Sequence, residues 1–328
     1  MNSDTLDALD RRVLQALDIA GRAPFSRIGA VLGVSDQTVA RRYRRLRELA
    51  GLRIVAVRDG TRLGEDSWLL RLRCTPDAAE PLARALARRR RTAWIGLASG
   101  GTEVVGMTLP RSRDEHDELI LGRLPRTPSI VEIRAHQMLH RFYGGPTGWL
   151  SKRDYLTPGE IAALAPPAAD PAGPPPVLTP EDDRLIAALE QDGRASVEEL
   201  RRATGRTESS VRRALDQLLA SGALFIDVQF DSAAIGHDTR AVLWITTAPA
   251  ALDEVGRAVA THPEVAFVSA TAGHCNLVAV VVCADTADVY RYVSGRLGSL
   301  PGVQHIDSAP ILRTVKQLTY EETHRARS

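Results

Sequence analysis

The sequence predicts an α+β protein in which one two-part unit occurs twice. Residues 6–64 match residues 178–236 without a gap when the chain is shifted by 172 positions. Each copy opens with three helical patterns and continues with strand and helix patterns in the order βαββαβ. A repeat this long indicates a duplicated protein rather than a solenoid. The predicted fold is a duplicated winged helix-turn-helix joined to a ferredoxin-like βαββαβ sandwich, one sheet covered by two helices.

Composition divides the chain into five segments. Residues 1–64 and 178–236 are the two predicted helix-turn-helix domains, and residues 65–143 and 237–328 are the two αβ domains. Residues 144–177, rich in Pro, Ala and Gly, are predicted to be a linker. Within it, residues 157–164 favour a short helix, and residues 165–176 favour an extended, partly polyproline-like chain.

The helical half of each copy follows from apolar spacing and capping residues. Leu6, Leu9, Val13, Leu14 and Leu17 recur at helical spacing in the first copy. A short second helix ends at Gly33, and a third begins after Ser35. In the second copy Thr179 is a good N-cap and Pro180 suits the first helical position. The extended runs at 52–58 and 224–230 are predicted to be wing hairpins.

The other half of each copy alternates strands and helices. In the first copy the predicted strands are 68–73, 93–98, 104–109 and 130–138, with helices at 81–90 and 113–124. In the second copy the strands are 241–246, 265–271, 277–283 and 303–309, with helices at 252–261 and 286–300. The offset between the copies becomes 173 here, since Gly100 meets Gly273 and Pro128 meets Pro301.

The net charge of +2 is distributed unevenly. Residues 1–143 hold 25 Arg against 17 acidic residues, a net charge of +8, whereas residues 178–328 carry −5. A basic first copy favours a polyanionic partner. The alternative is drift of surface charge without a partner.

Several protein classes are disfavoured. The polar N-terminus lacks the apolar core of a signal peptide, and no apolar run approaches the ~20 residues that span a bilayer. Three cysteines without CxxC spacing fit a reducing compartment and argue against a structural zinc site. We therefore expect a cytoplasmic protein with no membrane partner, no metal and no cofactor.

The third helix of the first copy, residues 36–48, has the features of a DNA recognition helix. Val39, Tyr43 and Leu46 form its buried stripe. A short helix, a Gly-containing turn and a basic helix make up the helix-turn-helix, whose last helix enters the major groove of double-stranded DNA. A solvated basic helix face is the alternative.

The outward residues of this helix divide by expected contact. Gln37, Thr38 and Arg41 are predicted nearest the bases, since Gln can bond adenine and Arg can bond guanine. Arg42, Arg44 and Arg45 are predicted to contact phosphates, with bracing of the fold as the alternative for Arg42. The candidate DNA-binding residues are Ser35, Gln37, Thr38, Arg41, Arg42, Arg44 and Arg45, with Ser209, Ser210, Arg212 and Arg213 in the second copy.

These motifs resemble the Lrp/AsnC family of feast/famine transcriptional regulators. The resemblance rests on Asp10-Arg11-Arg12-Val13-Leu14, Gly21-Arg22, Gly33-Val34-Ser35, the helix after Ser35, and Gly51-Leu52. It covers both copies, and the βαββαβ half resembles that family's effector-binding and oligomerisation module (RAM or ACT-like). The resemblance implies a homo-oligomeric regulator that binds a pseudo-palindromic operator and is modulated by a small molecule such as an amino acid. Fusion of two copies departs from the usual single-copy member.

The second copy departs further from a DNA-binding pattern. Arg42, Arg44 and Arg45 are replaced by Ala214, Asp216 and Gln217. The helix charge falls from +3 over residues 36–48 to 0 over residues 208–220. Since phosphate contacts dominate affinity, this helix is expected to bind DNA weakly, with the first copy supplying most of the affinity.

The family resemblance also places an effector site at the loop between the second and third strands of the αβ module. The candidate residues are Gly100, Gly101 and Thr102 in the first copy and Gly273, His274, Cys275 and Asn276 in the second. Glycines let the backbone approach a ligand, and free N–H groups can hold a carboxylate. The family usually has Asp or Asn at the end of this loop, which Asn276 matches and Glu103 only approximates. An ordinary glycine turn is the alternative.

Two other functions remain as alternatives. One is an architectural DNA-binding protein without an effector. The other is an enzyme, because sirohaem decarboxylases resemble this architecture and occur as fused pairs. Those enzymes carry a His-Asn-Tyr type motif on the second strand of the αβ module, whereas residues 93–98 and 266–270 contain neither His nor Tyr. His136 and His140 lie in a predicted strand and at its end, so they need not share a face, and a metal site is not expected there. The run Arg88–Arg91 is interpreted as a solvated helix end favoured by the helix dipole, with a secondary DNA contact as the alternative.

Overall fold

The computed structural model describes residues 6–166 and 176–318 and divides into two compact units. The first unit contains Met1–Gly64 and Gly144–Asp238, and the second contains Glu65–Tyr143 and Thr239–Ser328. Each unit combines a segment of the first copy with the equivalent segment of the second. Most of the predicted extended linker, residues 167–175, lies outside the described residues. No helix in the described ranges is long and apolar enough to cross a membrane.

The first helix-turn-helix comprises α1 (Ala8–Ile19), α2 (Phe25–Leu32) and α3 (Asp36–Leu49). Asp7 caps α1 in a reciprocal capping box with Asp10, which satisfies backbone N–H groups at the helix start. Gly33 ends α2 with a left-handed φ of 71°, a conformation that glycine adopts without strain. The predicted helix-turn-helix is therefore present.

A one-turn helix, α4 (Gly60–Leu63), follows the first extended strand. The second helix-turn-helix comprises α8 (Pro180–Gln191), α9 (Val197–Thr204) and α10 (Glu208–Ala220). Thr179 and Ser196 form capping boxes at the starts of α8 and α9.

The prediction of a wing hairpin in each copy is wrong. Each copy instead contributes a single strand, β1 (Arg53–Arg58) and β6 (Leu224–Gln229), and the two pair antiparallel with each other. A lone strand leaves its backbone N–H and C=O groups unpaired, and the equivalent strand of the other copy satisfies them. Each strand also contributes to the hydrophobic core of the other copy. Val228 of β6 packs with the first helix-turn-helix, and Ala56 of β1 packs with the second.

The pairing has an approximate two-fold relation centred on Val55 and Asp227, which face each other and are equivalent residues of the two copies. Arg22 donates to the carbonyl oxygens of Gly193 and Ala195. Its equivalent, Arg194, donates reciprocally to those of Gly21 and Ala23. The two helix-turn-helix copies are thus joined as an isologous pair within one chain.

The predicted linker is folded over part of its length. A 3₁₀ turn at Trp149–Lys152 and the helix α7 (Pro158–Leu164) pack on α1 and α2, and Leu150 and Leu164 are buried. The buried side chain of Gln15 donates to the carbonyls of Leu150 and Arg153 and accepts from the N–H of Leu156. The second copy has Ala187 at the position of Gln15, so this attachment is specific to the first copy.

One pH effect follows from carboxyl groups at the centre of this pair. Burial raises the pKa of Asp227 to about 7, and burial together with the Asp227 charge raises the pKa of Asp18 well above its usual value. The unfolded chain ionises these groups near pH 4, so stability declines as the pH rises from about 4 to 7. We expect Asp227→Asn to raise the urea midpoint at pH 8 and to leave it nearly unchanged at pH 4. Asp216→Asn, on the exposed side of α10, is the control and is expected to show no such pH dependence.

The second unit contains two βαββαβ halves, as predicted. The first half comprises β2 (Trp68–Cys74), α5 (Ala79–Ala87), β3 (Thr92–Ala98), β4 (Glu103–Thr108), α6 (Arg113–Asp117) and β5 (Ile130–Tyr143). The second half comprises β7 (Thr239–Thr247), α11 (Leu252–Thr261), β8 (Val265–Ala272), β9 (Leu277–Cys283), α12 (Thr286–Arg291) and β10 (Val303–Lys316). Both α6 and α12 continue into π-helical turns.

The two sheets close into one eight-stranded barrel in the order β10-β3-β4-β2-β5-β8-β9-β7. Closure occurs at two equivalent seams, where β5 pairs with β8 and β10 pairs with β3. Closure leaves no sheet edge unpaired. The αβ modules therefore pair within one chain. Leu69, Val105, Val242 and Val278 pack on the face opposite the helices, which is the barrel interior.

Candidate DNA-binding face and effector loops

Helix α3 presents a row of polar side chains to solvent. Its N-cap Ser35 is exposed and accepts a hydrogen bond from the backbone N–H of Thr38 at 3.1 Å. Val39 and Leu46 are buried, whereas Gln37, Arg41 and Arg44 are exposed. Neither Arg41 nor Arg44 forms an ion pair with a carboxylate among the described residues. These side chains are therefore available to a polyanion.

Two of the residues predicted to contact phosphates, Arg42 and Arg45, hold α3 against α1. The carboxylate of Asp10, whose side chain is 0% exposed, accepts from Arg42 Nη1 and from Arg45 Nε, both at 3.1 Å. Arg42 also donates to Asp7. A buried carboxylate requires such partners because it has left water. The bracing alternative thus describes Arg42, and the ion pair of Arg45 was not predicted.

The second copy uses a different brace at the equivalent place. Asp182, the equivalent of Asp10, accepts from Arg206 Nη1 at 2.8 Å, and Arg206 lies in the turn before α10. Since Arg206 neutralises Asp182, the fold no longer needs arginine at the positions of Ala214 and Gln217. Their replacement therefore reflects a changed brace as well as a changed surface.

The outward face of α10 carries little free positive charge. Arg212 is paired with Glu208 one turn earlier at 2.6 Å, while Arg213 is exposed without an ion-pair partner in the described parts of the chain. Ser209 and Ser210 are exposed at the start of the helix, where Thr207 is the N-cap. Of the four predicted residues, Arg213 alone is both cationic and outside an ion pair in the described ranges.

The first candidate effector loop is a 3₁₀ turn at Ser99–Gly101. Ser99 has a φ of +51°, unusual for a residue with a side chain, and Gly100 and Gly101 have φ of +68° and +83°. Thr102 Oγ1 donates to the Ser99 carbonyl at 2.8 Å. The Glu103 carboxylate accepts from Ser99 Oγ at 2.8 Å and from Arg71. The loop's polar side chains are thus bonded within the fold.

In the second candidate effector loop, polar side chains are likewise bonded within the protein. Gly273 has a φ of +134°, and a Cβ there would lie 2.9 Å from His136 Nδ1. The Asn276 amide accepts from the Thr247 N–H at 2.9 Å and donates to the Thr247 carbonyl at 2.8 Å. Cys275 is buried, which raises the pKa of its thiol, while His274 is exposed. The exposed glycine backbone and His274 remain as the groups that a ligand could reach.

The barrel contains a charged cluster around Arg71 that was not predicted from the sequence. Arg71 makes a bidentate ion pair with Glu103, also pairs with Asp307, and stacks over the Trp244 ring with its Cζ 4.1 Å from the centroid. Arg71 and Trp244 occupy equivalent positions of the two αβ halves under the 173-residue offset, so this contact joins the two halves. An arginine between apolar residues of a strand was the only available signal.

His136 and His140 lie in different surroundings. His136 is 1% exposed, its Nδ1 lies 3.6 Å from Cys275 Sγ, and burial lowers its pKa to about 4. His140 stacks edge-to-face on Phe142. Within residues 6–166 and 176–318, no group of three or more His, Cys, Asp or Glu side chains is placed to hold a metal ion.

Two domain families match separate parts of this chain. The AsnC-type helix-turn-helix domain matches residues 6–47, which include α1–α3 of the first copy. The Lrp/AsnC ligand binding domain matches residues 240–320, which span the second αβ half. Together the two matches correspond to one helix-turn-helix domain and one αβ domain, the two parts predicted for each copy.

Curated relatives are HTH-type transcriptional regulators. The regulator FL11 of Pyrococcus horikoshii is 26% identical over 140 residues, which are 91% of that protein and 42% of this chain. FL11 of Pyrococcus furiosus is 24% identical over 145 residues, or 95% of that protein and 44% of this chain. Nearly the whole relative thus matches less than half of this chain.

Solved structures of one protein match this chain over nearly its whole length. The sirohaem decarboxylase NirDL has a TM-score of 0.60 and 14% identity, covering 96% of this chain and 94% of that protein. Its complex with an iron-uroporphyrin III analogue matches equally, at 15% identity. At this identity the likeness concerns the fold alone, because one fold supports unrelated functions.

Proposed function

We propose that this protein is a DNA-binding regulator of the Lrp/AsnC type and that each chain binds a pseudo-palindromic operator through two unequal recognition helices. The observation that carries the proposal is the exposed row of Gln37, Arg41 and Arg44 on α3. The Asp10 brace and the β1–β6 pair support it, since they hold that row on a defined surface.

We also propose that the chain arose by fusion of two copies of one regulator. The symmetric register about Val55 and Asp227 and the reciprocal contacts of Arg22 and Arg194 support this origin. One chain then supplies the two helix-turn-helix domains that a symmetric dimer supplies elsewhere. Because the halves differ, the two half-sites of the operator need not have the same sequence.

The first copy supplies most of the affinity in this proposal. Each phosphate contact releases counterions, so affinity follows the number of available cations. Helix α3 offers Arg41 and Arg44, whereas α10 offers Arg213, with Arg212 held by Glu208. The second helix positions the complex and adds weaker contacts.

A small-molecule effector is the second part of the proposal. The match to the Lrp/AsnC ligand binding domain supports an effector, with an amino acid as the first class to test. Gly100, Gly101 and Thr102 and the segment Gly273–Asn276 stay proposed contacts. Glu103 and Asn276 are bonded to other groups of the protein, so the loop backbone and the exposed His274 are the groups proposed to hold the ligand. Homo-oligomers of the whole chain are proposed on the same ground.

The chain is proposed not to be an enzyme. The His-Asn-Tyr type motif expected of a sirohaem decarboxylase has no counterpart on β3 or β8, which contain neither His nor Tyr. An architectural DNA-binding protein without an effector is the remaining alternative.

Genome-wide mapping of bound DNA followed by footprinting tests the proposal. We expect a limited set of promoters that share a two-part site, and binding that an amino acid alters at fixed salt. Sequence-independent coverage would indicate the architectural alternative. The proposal of a regulator would be overturned if the purified chain converted an iron-uroporphyrin-type substrate and showed no preferred DNA site.

A further inference from the structure

A cavity of about 190 Å³ lies in the second unit, where the residues after α5, the end of β4 and helix α6 meet. A cavity needs only roughly 10–15 Å³ to hold one water, so this one accommodates a small organic molecule. It is lined by Arg89, Arg90, Arg91, Thr108, Pro110, Glu115, His116, Leu119 and Ile120. Thr108 ends β4, while the proposed effector loop precedes Glu103 at its start. The cavity is therefore separate from that loop.

Thr108 and His116 each bring a buried polar atom to the lining that has no hydrogen-bond partner in the described parts of the chain. Thr108 is 4% exposed, and its hydroxyl is buried without a hydrogen bond to any described residue. His116 Nδ1 is likewise buried without a partner, and its ring stacks on Trp68 at 4.4 Å. Buried polar atoms in native proteins are bonded to protein, to water or to a ligand. Both atoms thus point to an occupant that can form hydrogen bonds.

The charge of the lining favours an anion. Arg89 and Arg90 form no ion pair among the described residues, while Arg91 pairs with Glu65 at 2.7 Å. Glu115, the one acidic lining residue, accepts a hydrogen bond from the backbone N–H of Arg111 at 2.8 Å. The free positive charge therefore exceeds the negative charge. Leu119 and Ile120 add a buried apolar wall.

The second half has different side chains at the equivalent place. At the equivalent positions, Leu119 becomes Tyr292, Arg89 becomes His262 and Thr108 becomes Val281. Tyr292 is 3% exposed, and its hydroxyl lies 3.0 Å from His262 Nδ1. The Tyr292 side chain is larger than leucine, and its hydroxyl has a hydrogen-bond partner in His262. Val281, at the position of Thr108, has no hydroxyl that requires a partner. This combination of arginine and threonine is therefore specific to the first half.

We propose that this cavity binds a small organic oxyanion, a carboxylate or a phosphate ester with a short carbon chain. The Arg89 and Arg90 guanidinium groups match the geometry of either oxyanion. The Thr108 hydroxyl and the His116 ring add hydrogen bonds, and Leu119 and Ile120 contact the carbon part. This site does not depend on the DNA-binding proposal.

Calorimetric titration of the full chain with inorganic phosphate and with succinate, at constant ionic strength set by chloride, tests the site without DNA. We expect saturable binding of at least one probe at one site per chain. Arg89→Gln, Thr108→Val and Leu119→Tyr are each expected to weaken it at least tenfold. The last two introduce the residues that the second half itself uses, so the fold should tolerate them, and an unchanged thermal midpoint checks this.

Arg88→Gln is the matched control, because Arg88 belongs to the same arginine run but does not line the cavity. It removes the same charge and is expected to change affinity less than twofold. The proposal is overturned if neither probe binds saturably, or if Arg88→Gln weakens binding as much as Arg89→Gln, since the anion would then sense only the bulk charge.

Discussion

Arg41→Ala is expected to weaken operator binding by about 10- to 100-fold at constant salt, the range for loss of one bidentate base contact. Arg41 is exposed on α3, one turn after Gln37, and forms no ion pair in the described ranges. Its backbone is fixed by the buried residues Val39 and Leu46 on the same helix. Removing the guanidinium therefore removes a DNA contact and leaves the helix in place. Fluorescence anisotropy with a labelled operator measures the loss.

The matched control is Arg213→Ala at the equivalent position of α10. We expect it to weaken binding less than about threefold, because the second helix has fewer available cations. Salt titrations separate the contact types. Loss of a phosphate contact reduces the slope of log K against log salt by about 1, whereas loss of a base contact relaxes sequence preference. Equal losses for the two variants would contradict the proposal that the first copy dominates.

Asp10→Asn is expected to destabilise the first unit by about 3 kcal/mol, the low end of the range for breaking a buried ion pair, because Arg42 and Arg45 are partly exposed to water. Asp10 has a fully buried side chain and bonds two arginines of α3. Asparagine keeps the size and one acceptor oxygen but loses the charge. Urea unfolding followed by far-UV circular dichroism at pH 7 measures the change.

Asp182→Asn provides the comparison within the same molecule. Asp182 also completes a capping box, but its carboxylate bonds one arginine, Arg206, and is 16% exposed. We expect a loss of about half that of Asp10→Asn or less. If the two variants destabilise equally, the second arginine on Asp10 contributes nothing measurable to stability.

The Asp10 brace changes the meaning of the charge difference between the two recognition helices. Counted along the sequence, α3 exceeds α10 by three positive charges. Two of the α3 arginines, Arg42 and Arg45, are paired with the carboxylates of Asp10 and Asp7, and Arg206 pairs with Asp182 in the second copy. The difference in charge that DNA can sense is therefore smaller than the sequence suggests, although it has the same sign.

The sequence predicted the parts of the fold well because their signals are local. Capping residues such as Ser35 and Thr179, the glycine that ends α2 and the alternation of strands and helices act over a few residues. The helix at 157–164 was also predicted from its local pattern and is α7. The exposed positions Gln37, Arg41 and Arg44 follow from the helical period once Val39 and Leu46 are placed inside.

What the local signals could not show is which distant segments meet. Arg53 pairs with Gln229, and Ile311 pairs with Ala98, across separations that no periodicity records. A single strand looks the same in sequence whether its partner follows in a hairpin or lies in another copy. The burial of Gln15 against residues 150–156 was unpredictable for the same reason, since those residues are distant from it along the chain.

The sequence by itself determined the duplicated arrangement, the helix-turn-helix and the βαββαβ order, because repeats, caps and periodicity are properties of neighbouring residues. Only the tertiary structure decided that the two copies pair their β1 and β6 strands with each other and that their sheets close into one barrel. It also decided that Arg42 and Arg45 form ion pairs with the buried Asp10. The physical reason is that backbone and charged groups which leave water must find partners, and the partners available are set by the folded chain as a whole.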